Sequence, residues 1–416
     1  MTDATDAVDL VFRTEFGRAV ALVARVLGDI DLAEDAVQDA YTTAVARWPV
    51  DGVPDNPRAW IVTVARNRAI DRLRRRRALH EHTEELARRV EVEMSPYDDA
   101  EDDAIPDERL RLMYVCCHPA LAPEAQVALT LRLVAGLTVP EIARAMLSSE
   151  PAVAQRLVRA KRKLRVAGVP FRMPHDHDVP DRLAIVLSVI YLVFNEGYVA
   201  TSGDALRRDD IAGEAIRLGR VLTALMPDEP EAVALLALML LHDSRRCART
   251  DSAGEMVLLS DQDRALWDSA EIEEGLDLTE RALRLSRVPG GFALQAAIAA
   301  VHARSRESGT TDWPQIVALY SVLMRVTPSP VVELNRAAAI SMADGPAAGL
   351  DAVDLVAATG ALDGHHLLHA TRADLLSQLD RRGEAAAAYS RAIELADNGA
   401  ERRFLERRLA ELNARP

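Results

Sequence analysis

Seven arginines and a single acid, Asp71, fill the twelve residues from Arg66 to Arg77. Each guanidinium offers a fixed fork of donors that pairs oxyanions, and several in series neutralise a nucleic-acid backbone. A solvated basic helix face would look the same in isolation. Other residues with chemistry to offer are sparse. Cys116-Cys117-His118 sets two thiols beside an imidazole, but adjacent cysteines are poorly spaced for tetrahedral zinc, and a packed helix end is the better reading. His175 and His177 lie in a proline-bounded stretch and read as solvent-facing. No phosphate-cradling glycine loop and no nucleophile–base–orienter set is present. That points away from an enzyme, and no metal or cofactor is expected.

Charge is distributed unevenly along the 416 residues, whose formal net is −14. Residues 1–80 carry 12 basic and 12 acidic side chains, residues 81–107 carry 2 and 11, residues 108–172 carry 11 and 4, and the remainder carries 25 and 37. Two basic blocks are thus separated by an acidic segment and followed by an acidic half. Aromatics are 4% of the chain, and Ala, Leu and Arg abound, so an all-α chain of several domains is expected. The three cysteines make no disulfide framework, which suggests a reducing cytoplasm. The acidic N-terminus does not read as a signal peptide, and the longest apolar runs, Leu183–Phe194 and Ala232–Leu241, are too short to span a bilayer.

The elements that must position the first basic block are helical. Val8, Val11, Phe12, Phe16, Val20, Val23, Val26 and Leu27 keep a helical period. Asp29 or Asp31 can cap a second helix whose inner face is Ala33, Val37, Ala40, Tyr41, Ala44, Val45 and Trp48. Its outer face would be acidic, from Glu34, Asp35, Gln38 and Asp39, either simply solvated or a docking surface for a basic partner. Pro49 should end it, and a Pro/Gly-rich loop leads to the basic helix that starts at Pro57-Arg58-Ala59-Trp60. Downstream, Leu110–Val115 and Pro123–Ala135 read as helices. Thr138 and Glu141 form a capping box, Ile142, Ala143 and Met146 face inward, and a turn at Leu147–Ser148 leads to Ser149 as the next N-cap. The following helix should bury Val153, Leu157, Val158 and Leu164 and expose Gln155, Arg156, Arg159, Lys161, Arg162 and Lys163. This is a helix-turn-helix with a basic second helix.

Asp31, Ala33–Asp35, Gln38–Asp39, Trp48, Pro57–Trp60, Ala65–Asn67, Asp71 and Arg74–Arg77, in that order and spacing, resemble region 2 of sigma-70-type factors, most closely the extracytoplasmic-function (ECF) subgroup. Joined to region 2, the helix-turn-helix resembles sigma region 4. The resemblance implies that Asp31, Glu34, Asp35, Gln38 and Asp39 would dock on core RNA polymerase. The Pro49–Pro57 loop and the basic helix would open and read the −10 promoter element. There Arg66 and Asn67 would lie near base edges, Arg74, Arg75, Arg76 and Arg77 would contact phosphates, and Arg58 and Trp60 would also bind DNA. Glu150, Gln155, Arg156, Arg159, Lys161, Arg162 and Lys163 would meet the −35 element. Leu147 in place of a turn glycine, and Pro151, Ala152 and Ala154 at the start of the recognition helix, depart from the usual pattern.

On this reading residues 1–80 are region 2, 81–107 an acidic flexible linker, 108–172 region 4, and 173–416 a helical extension. Neutralising Asp98, Asp99, Asp102 and Asp103 in the linker should raise polymerase-free DNA binding. The extension reads as paired helices. Tyr320 and Tyr389 lie 69 residues apart and Pro227 and Pro328 lie 101 apart, near multiples of a 34-residue unit, so it resembles degenerate tetratricopeptide repeats, a solenoid suited to a protein or peptide partner. Two stretches, residues 191–210 and 255–268, interrupt the repeat as loops. Asn195, Glu196, Tyr198, Asp261, Gln262, Asp263, Arg264 and Trp267 there suggest a regulatory latch or a small-ligand pocket. The overall order resembles the tetratricopeptide-containing sigma factors, and implies a promoter-specificity subunit regulated in cis by its extension, with no membrane partner. The alternative is a solenoid scaffold or ligand-binding regulator with a sigma-derived DNA-binding half.

Overall fold

The computed structural model describes residues 2–77, 105–146, 148–175, 177–199, 207–252, 254–305 and 307–414. The linker expectation, its acidic residues Asp98 to Asp103 and the Leu147 turn lie outside them, as does part of the 191–210 segment. The chain divides into two compact units, Met1–Leu192 and Val193–Pro416.

In the first unit, α1 (Thr2–Leu27), α2 (Ile30–Asp51) and α3 (Pro57–Arg77) pack together. Gly28 ends α1 at φ +65°, a conformation that suits glycine, and Asp29 caps α2 by accepting from Asp31 N at 2.9 Å and Leu32 N at 3.2 Å. Ala33, Ala36, Ala40 and Ala44 are fully buried on α2, so the helices approach closely around Phe16, Val37, Tyr41, Trp48 and Ile61. Each large apolar side chain buried there contributes about 1.5–3 kcal/mol. The α2 helix runs past Pro49 to Asp51; proline withdraws one N–H, and Gly52 closes the end by donating to Trp48 O at 3.1 Å. Val45, expected inside, is 56% exposed.

Next come α4 (Ile105–Cys116), α5 (Pro123–Leu129) running into a π-turn at Thr130–Val134, α6 (Val139–Ala145) and α7 (Glu150–Val166). The capping box forms as expected: Glu141 accepts from Thr138 N at 2.7 Å, and Thr138 Oγ1 accepts from Glu141 N at 3.4 Å. Ser149 caps α7, accepting from Ala152 N at 3.4 Å. The α7 helix buries Val153, Leu157, Ala160 and Leu164, whereas Val158, expected in that stripe, is 62% exposed. Four buried positions at 3–4-residue spacing already close the face, and Val158 lies outside it. The next helix, α8 (Val179–Tyr198), begins in this unit, where Arg182 donates to Tyr114 O. The first unit therefore extends past residue 172.

The second unit continues from the end of α8 through α9 (Asp209–Leu225), α10 (Pro230–Asp243), α11 (Ser269–Leu285), α12 (Gly291–Arg304), α13 (Trp313–Val326), α14 (Pro330–Asp344), α15 (Pro346–Ala358), α16 (His366–Gln378), α17 (Arg382–Leu395) and α18 (Gly399–Ala414). From α9 onward these helices pack chiefly on their chain neighbours. The α10 helix is apolar all round and buried from Ala232 to Leu241, as a central helix must be. The Glu231 carboxylate on α10 accepts from Phe292 N at 2.9 Å and Ala293 N at 3.1 Å, holding the first turn of α12. At the far end, Tyr389, Leu368, Leu376 and Leu405 join one core, and Asn398, 1% exposed, caps α18.

Candidate functional site

The acidic side of α2 is not the open face that its sequence suggests. Glu34 is 4% exposed. Its carboxylate accepts from Arg132 Nε at 2.6 Å, Lys161 Nζ at 3.0 Å and Gln38 Nε2 at 2.7 Å. Asp31 pairs with Lys161 Nζ at 2.6 Å and with Arg165, and Arg165 Nε also reaches Asp29 at 3.5 Å. Arg132, on the π-turn, further donates to Leu137 O at 2.8 Å and stands 5.2 Å over the Phe16 ring. Three cations from the second half of the unit thus cover two of the five expected docking acceptors and hold a third, Gln38, through Glu34. Asp39 lies 3.8 Å from Arg68, and Asp35 is exposed.

Electrostatics follow the geometry. Burial alone would raise the Asp31 carboxyl, but hydrogen bonds and charge from Lys161 and Arg165 outweigh it and hold the group below its ordinary range. Burial would lower the Lys161 ammonium, yet Glu34 and Asp31 hold it above.

The residues expected at DNA separate into groups. On α7, Glu150, Gln155, Arg159, Arg162 and Lys163 are exposed, opposite or flanking the buried stripe. Arg159 Nε donates to Gln155 O at 3.3 Å, which aligns both along the helix. Arg156 is half-buried against Met146 Sδ at 3.9 Å. Lys161 is corrected: its side chain is 14% exposed and belongs to the Glu34 cluster rather than to the open face. On α3, Asn67 is exposed and Arg58 and Arg66 are half-buried. Trp60 packs edge-on against Trp48 at 5.6 Å, which fixes the start of α3 to the end of α2. Asn56 caps that start, accepting from Ala59 N at 3.0 Å. Arg74, Arg75, Arg76 and Arg77 lie in the last turn of α3; their side chains fall outside the described residues.

Cys116 and Cys117 are structural. Cys116 Sγ donates to Leu129 O at 3.8 Å, and Cys117 Sγ lies 3.6 Å from Thr130 Oγ1. Burial pushes the Cys117 thiol up to about 12. Among the described residues no cluster of three or more His, Cys, Asp or Glu could hold a metal ion.

In the second unit the two interrupting segments share a neighbour, Arg245. Asn195, Glu196 and Tyr198 are on α8 rather than in a loop, a correction whose cause is Gly197. It is a close-approach site: a Cβ there would stand 2.3 Å from Ala212 N. Tyr198 lies under Arg249, 3.7 Å from its ring centroid, and stacks on Phe194 at 5.5 Å. Arg245 reaches both the Tyr198 ring, at 5.9 Å, and the Trp267 ring, at 5.8 Å. Glu196 pairs with Arg208 at 3.6 Å. Asp261 accepts from Ser260 Oγ at 3.1 Å, Gln262 donates to Val257 O at 3.3 Å, and Asp263 caps a short 3-10 turn. Arg264 donates to His302 O at 2.7 Å and stands 4.7 Å over Trp267. Sequence reasoning does not single out Arg132, Arg165, Arg245 or Arg249. The signal for Arg132 was there, a lone charge inside the apolar run Leu129–Val134.

The chain matches Sigma-70 region 2 over residues 11–79 and Sigma-70, region 4 over residues 111–164. Residues 182–283 match a family of unknown function, DUF6596. The uncharacterized protein R00370 of Rhizobium meliloti is 45% identical over 424 residues, covering 100% of this chain and 98% of that protein. The ECF RNA polymerase sigma factor SigK of Mycobacterium ulcerans is 30% identical over 165 residues, 38% of this chain and 84% of its own. The probable ECF RNA polymerase sigma factor SigI of Mycobacterium tuberculosis is 28% identical over 183 residues, 43% of this chain and 62% of its own. The chain belongs to the ECF sigma factors, which direct promoter-specific transcription initiation. Sigma factors bind core RNA polymerase and promoter DNA and are not enzymes. Among the described residues no helix is long and apolar enough to cross a membrane.

Proposed function

We propose that the chain is the promoter-specificity subunit of a bacterial RNA polymerase. The polar side of α2 (Asp31, Glu34, Asp35, Gln38, Asp39) docks core. The loop before α3, with Arg58, Trp60, Arg66, Asn67 and Arg74–Arg77, opens and reads the −10 element. The exposed face of α7 (Glu150, Gln155, Arg156, Arg159, Arg162, Lys163) reads the −35 element. What carries the reading is α7 itself. A capped helix in a helix-turn-helix presents Gln155, Arg159 and Arg162 to solvent on the side opposite its buried stripe, the arrangement that lets side chains reach base edges. The helices from α9 to α18, each against its chain neighbour, support a tetratricopeptide-like solenoid that modulates this activity in cis or holds a protein partner.

The test is run-off transcription with purified core polymerase on promoters from the gene's own neighbourhood. Gln155→Ala and Arg159→Ala should each cut promoter-dependent transcript several-fold, a base contact being worth about 1–3 kcal/mol. Unchanged transcription from both variants would remove α7 as the reader.

A further inference from the structure

The second unit gathers positive charge that its own acids do not answer. Arg249 stands 3.7 Å over the Tyr198 ring and Arg264 4.7 Å over Trp267, and Arg245 lies 5.9 Å and 5.8 Å from the same two rings. A ring face attracts a guanidinium but carries no net charge, so these contacts orient the cations without cancelling them. Arg246, in the same turn, meets Asp243, Asp268 and Glu271 at 3.1, 3.1 and 2.8 Å. Among the described residues no carboxylate forms an ion pair with Arg245, Arg249 or Arg264. Glu401 acts on Arg249, but burial and the charges of Arg245 and Arg207 outweigh it and lower that guanidinium. The same field reaches two imidazoles. Burial, helped by Arg245 and Arg249, keeps His242 well below its ordinary value, and burial, helped by Arg245 and Arg264, takes His302 to about 4. Donors are stranded as well. Arg245 Nε, Arg264 Nε and Trp267 Nε1 are shielded from water with no acceptor among the described residues, and His302 Nδ1 is likewise unpartnered. Trp267 is only 7% exposed, and a buried donor without an acceptor is destabilising and calls for a reason.

We propose that Arg245, Arg264 and Trp267 form the seat of a small-molecule oxyanion, a phosphate or carboxylate group, with Arg249 adding to its field. Guanidinium and indole N–H groups are donors only, and an oxyanion is the acceptor that answers both their hydrogen bonds and their charge. The seat is held ready. Arg264 donates through its terminal nitrogens to His302 O at 2.7 Å, to Ser305 O and to Thr311 Oγ1 at 3.4 Å. Arg245 donates to Tyr198 Oη, and Arg249 to Tyr198 O. These bonds fix the guanidiniums and leave the Nε of Arg245 and of Arg264 unused. Both side chains are half-buried, so a ligand reaches them from the surface. A nucleic-acid backbone calls for cations that stand clear of the surface, as Arg159 does on α7; charges recessed among rings select a small anion. Tyr198, Arg245, Arg249, Arg264 and Trp267 all fall within residues 182–283, the stretch matched to the family of unknown function.

The experiment titrates the full chain by calorimetry with inorganic phosphate, glycerol 3-phosphate and succinate, each against sodium chloride at matched ionic strength. At least one oxyanion should bind, and at about 100 times its Kd it should raise the melting temperature by about 5–10 °C, while chloride should not. Preference for the ester over free phosphate would identify a phosphorylated metabolite, and preference for succinate a carboxylate. Trp267→Phe keeps the ring and removes the N–H, and should weaken binding about tenfold without lowering the melting temperature of the ligand-free chain. Arg245→Gln removes one of the like charges. It should weaken binding tenfold or more and leave the ligand-free melting temperature unchanged or raised, whereas a merely structural arginine would lower it and leave the titration intact. Arg325→Gln, an exposed arginine on α13, should change neither. Absence of binding by all three oxyanions would overturn the site, as would undiminished binding by Trp267→Phe and Arg245→Gln, or a loss in Arg325→Gln equal to theirs.

Discussion

The Glu34–Arg132 pair makes a quantitative demand on the first unit. Its partners are 5% and 10% exposed and 2.6 Å apart, so solvent screens them little. Two unit charges near 4 Å attract by about 4 kcal/mol at an effective dielectric near 20, and desolvation takes back much of that. Stranding one partner of a buried pair costs about 3–5 kcal/mol. Lys161 and Gln38 still satisfy part of Glu34, so Arg132→Met should cost nearer ~2–3 kcal/mol of stability in the first unit. A double-mutant cycle with Glu34→Gln should return a coupling of about 1.5–3 kcal/mol. The comparison cycle is Asp31→Asn with Arg165→Met, whose side chains are 32% and 52% exposed; it should return less than ~1 kcal/mol and vanish in high salt. Native-state hydrogen exchange at the Ala135 and Leu137 amides, which bond to Thr130 O and Leu131 O, reads the local opening. The Asp31–Arg165 cycle should not vary near neutral pH. Asp31 is depressed, so its contribution is complete above its unfolded value of 3.8 and fades as pH falls through the lower folded value. Lys161 is raised, so its contribution is complete below 10.5 and fades only as pH rises through the higher folded value. Equal couplings for the two pairs, or a Glu34–Arg132 coupling as salt-sensitive as the other, would refute the buried-pair reasoning.

Two further outcomes follow from the second unit and from the cysteines. Burial, aided by Asp243, lifts the Glu271 carboxyl to about 7 against the pull of Arg246. The folded state therefore holds a proton there that the unfolded state releases near 4.5, so this site's support is complete below pH 4.5 and is lost as pH rises to about 7. Thermal melts should show Glu271→Gln raising Tm at pH 8 and flattening the fall between pH 5.5 and 8; an unaltered pH profile would contradict the assignment. Brief alkylation of the native chain, read by intact mass, should modify Cys247, which is exposed, and spare Cys116 and Cys117, which are buried with raised pKa. Comparable labelling of all three would mean that the α4–α5 packing is wrong.

Helix positions were legible because their signals are local. Asp29, Thr138, Glu141 and Ser149 cap where their types and spacing say they should. What failed was any inference from one helix about what lies against it. Glu34 follows Ala33 at the rim of a buried stripe, and by its own helix it belongs in water. Its burial depends on Arg132, 98 residues away, which no periodicity reports. Lys161 was misplaced for the reciprocal reason: α7 alone sets it among the cations facing DNA, and only α2 gives it Asp31 and Glu34. Gly197 shows the same limit in backbone form, since breaker and close-approach site share one residue type and differ only by the presence of Ala212. One inference was nevertheless open. A lone arginine inside the apolar run Leu129–Val134 must be paired or pay several kcal/mol of desolvation, and an acid at the edge of a buried helix face must be paired too. Setting these two charges against each other places region 4 on region 2.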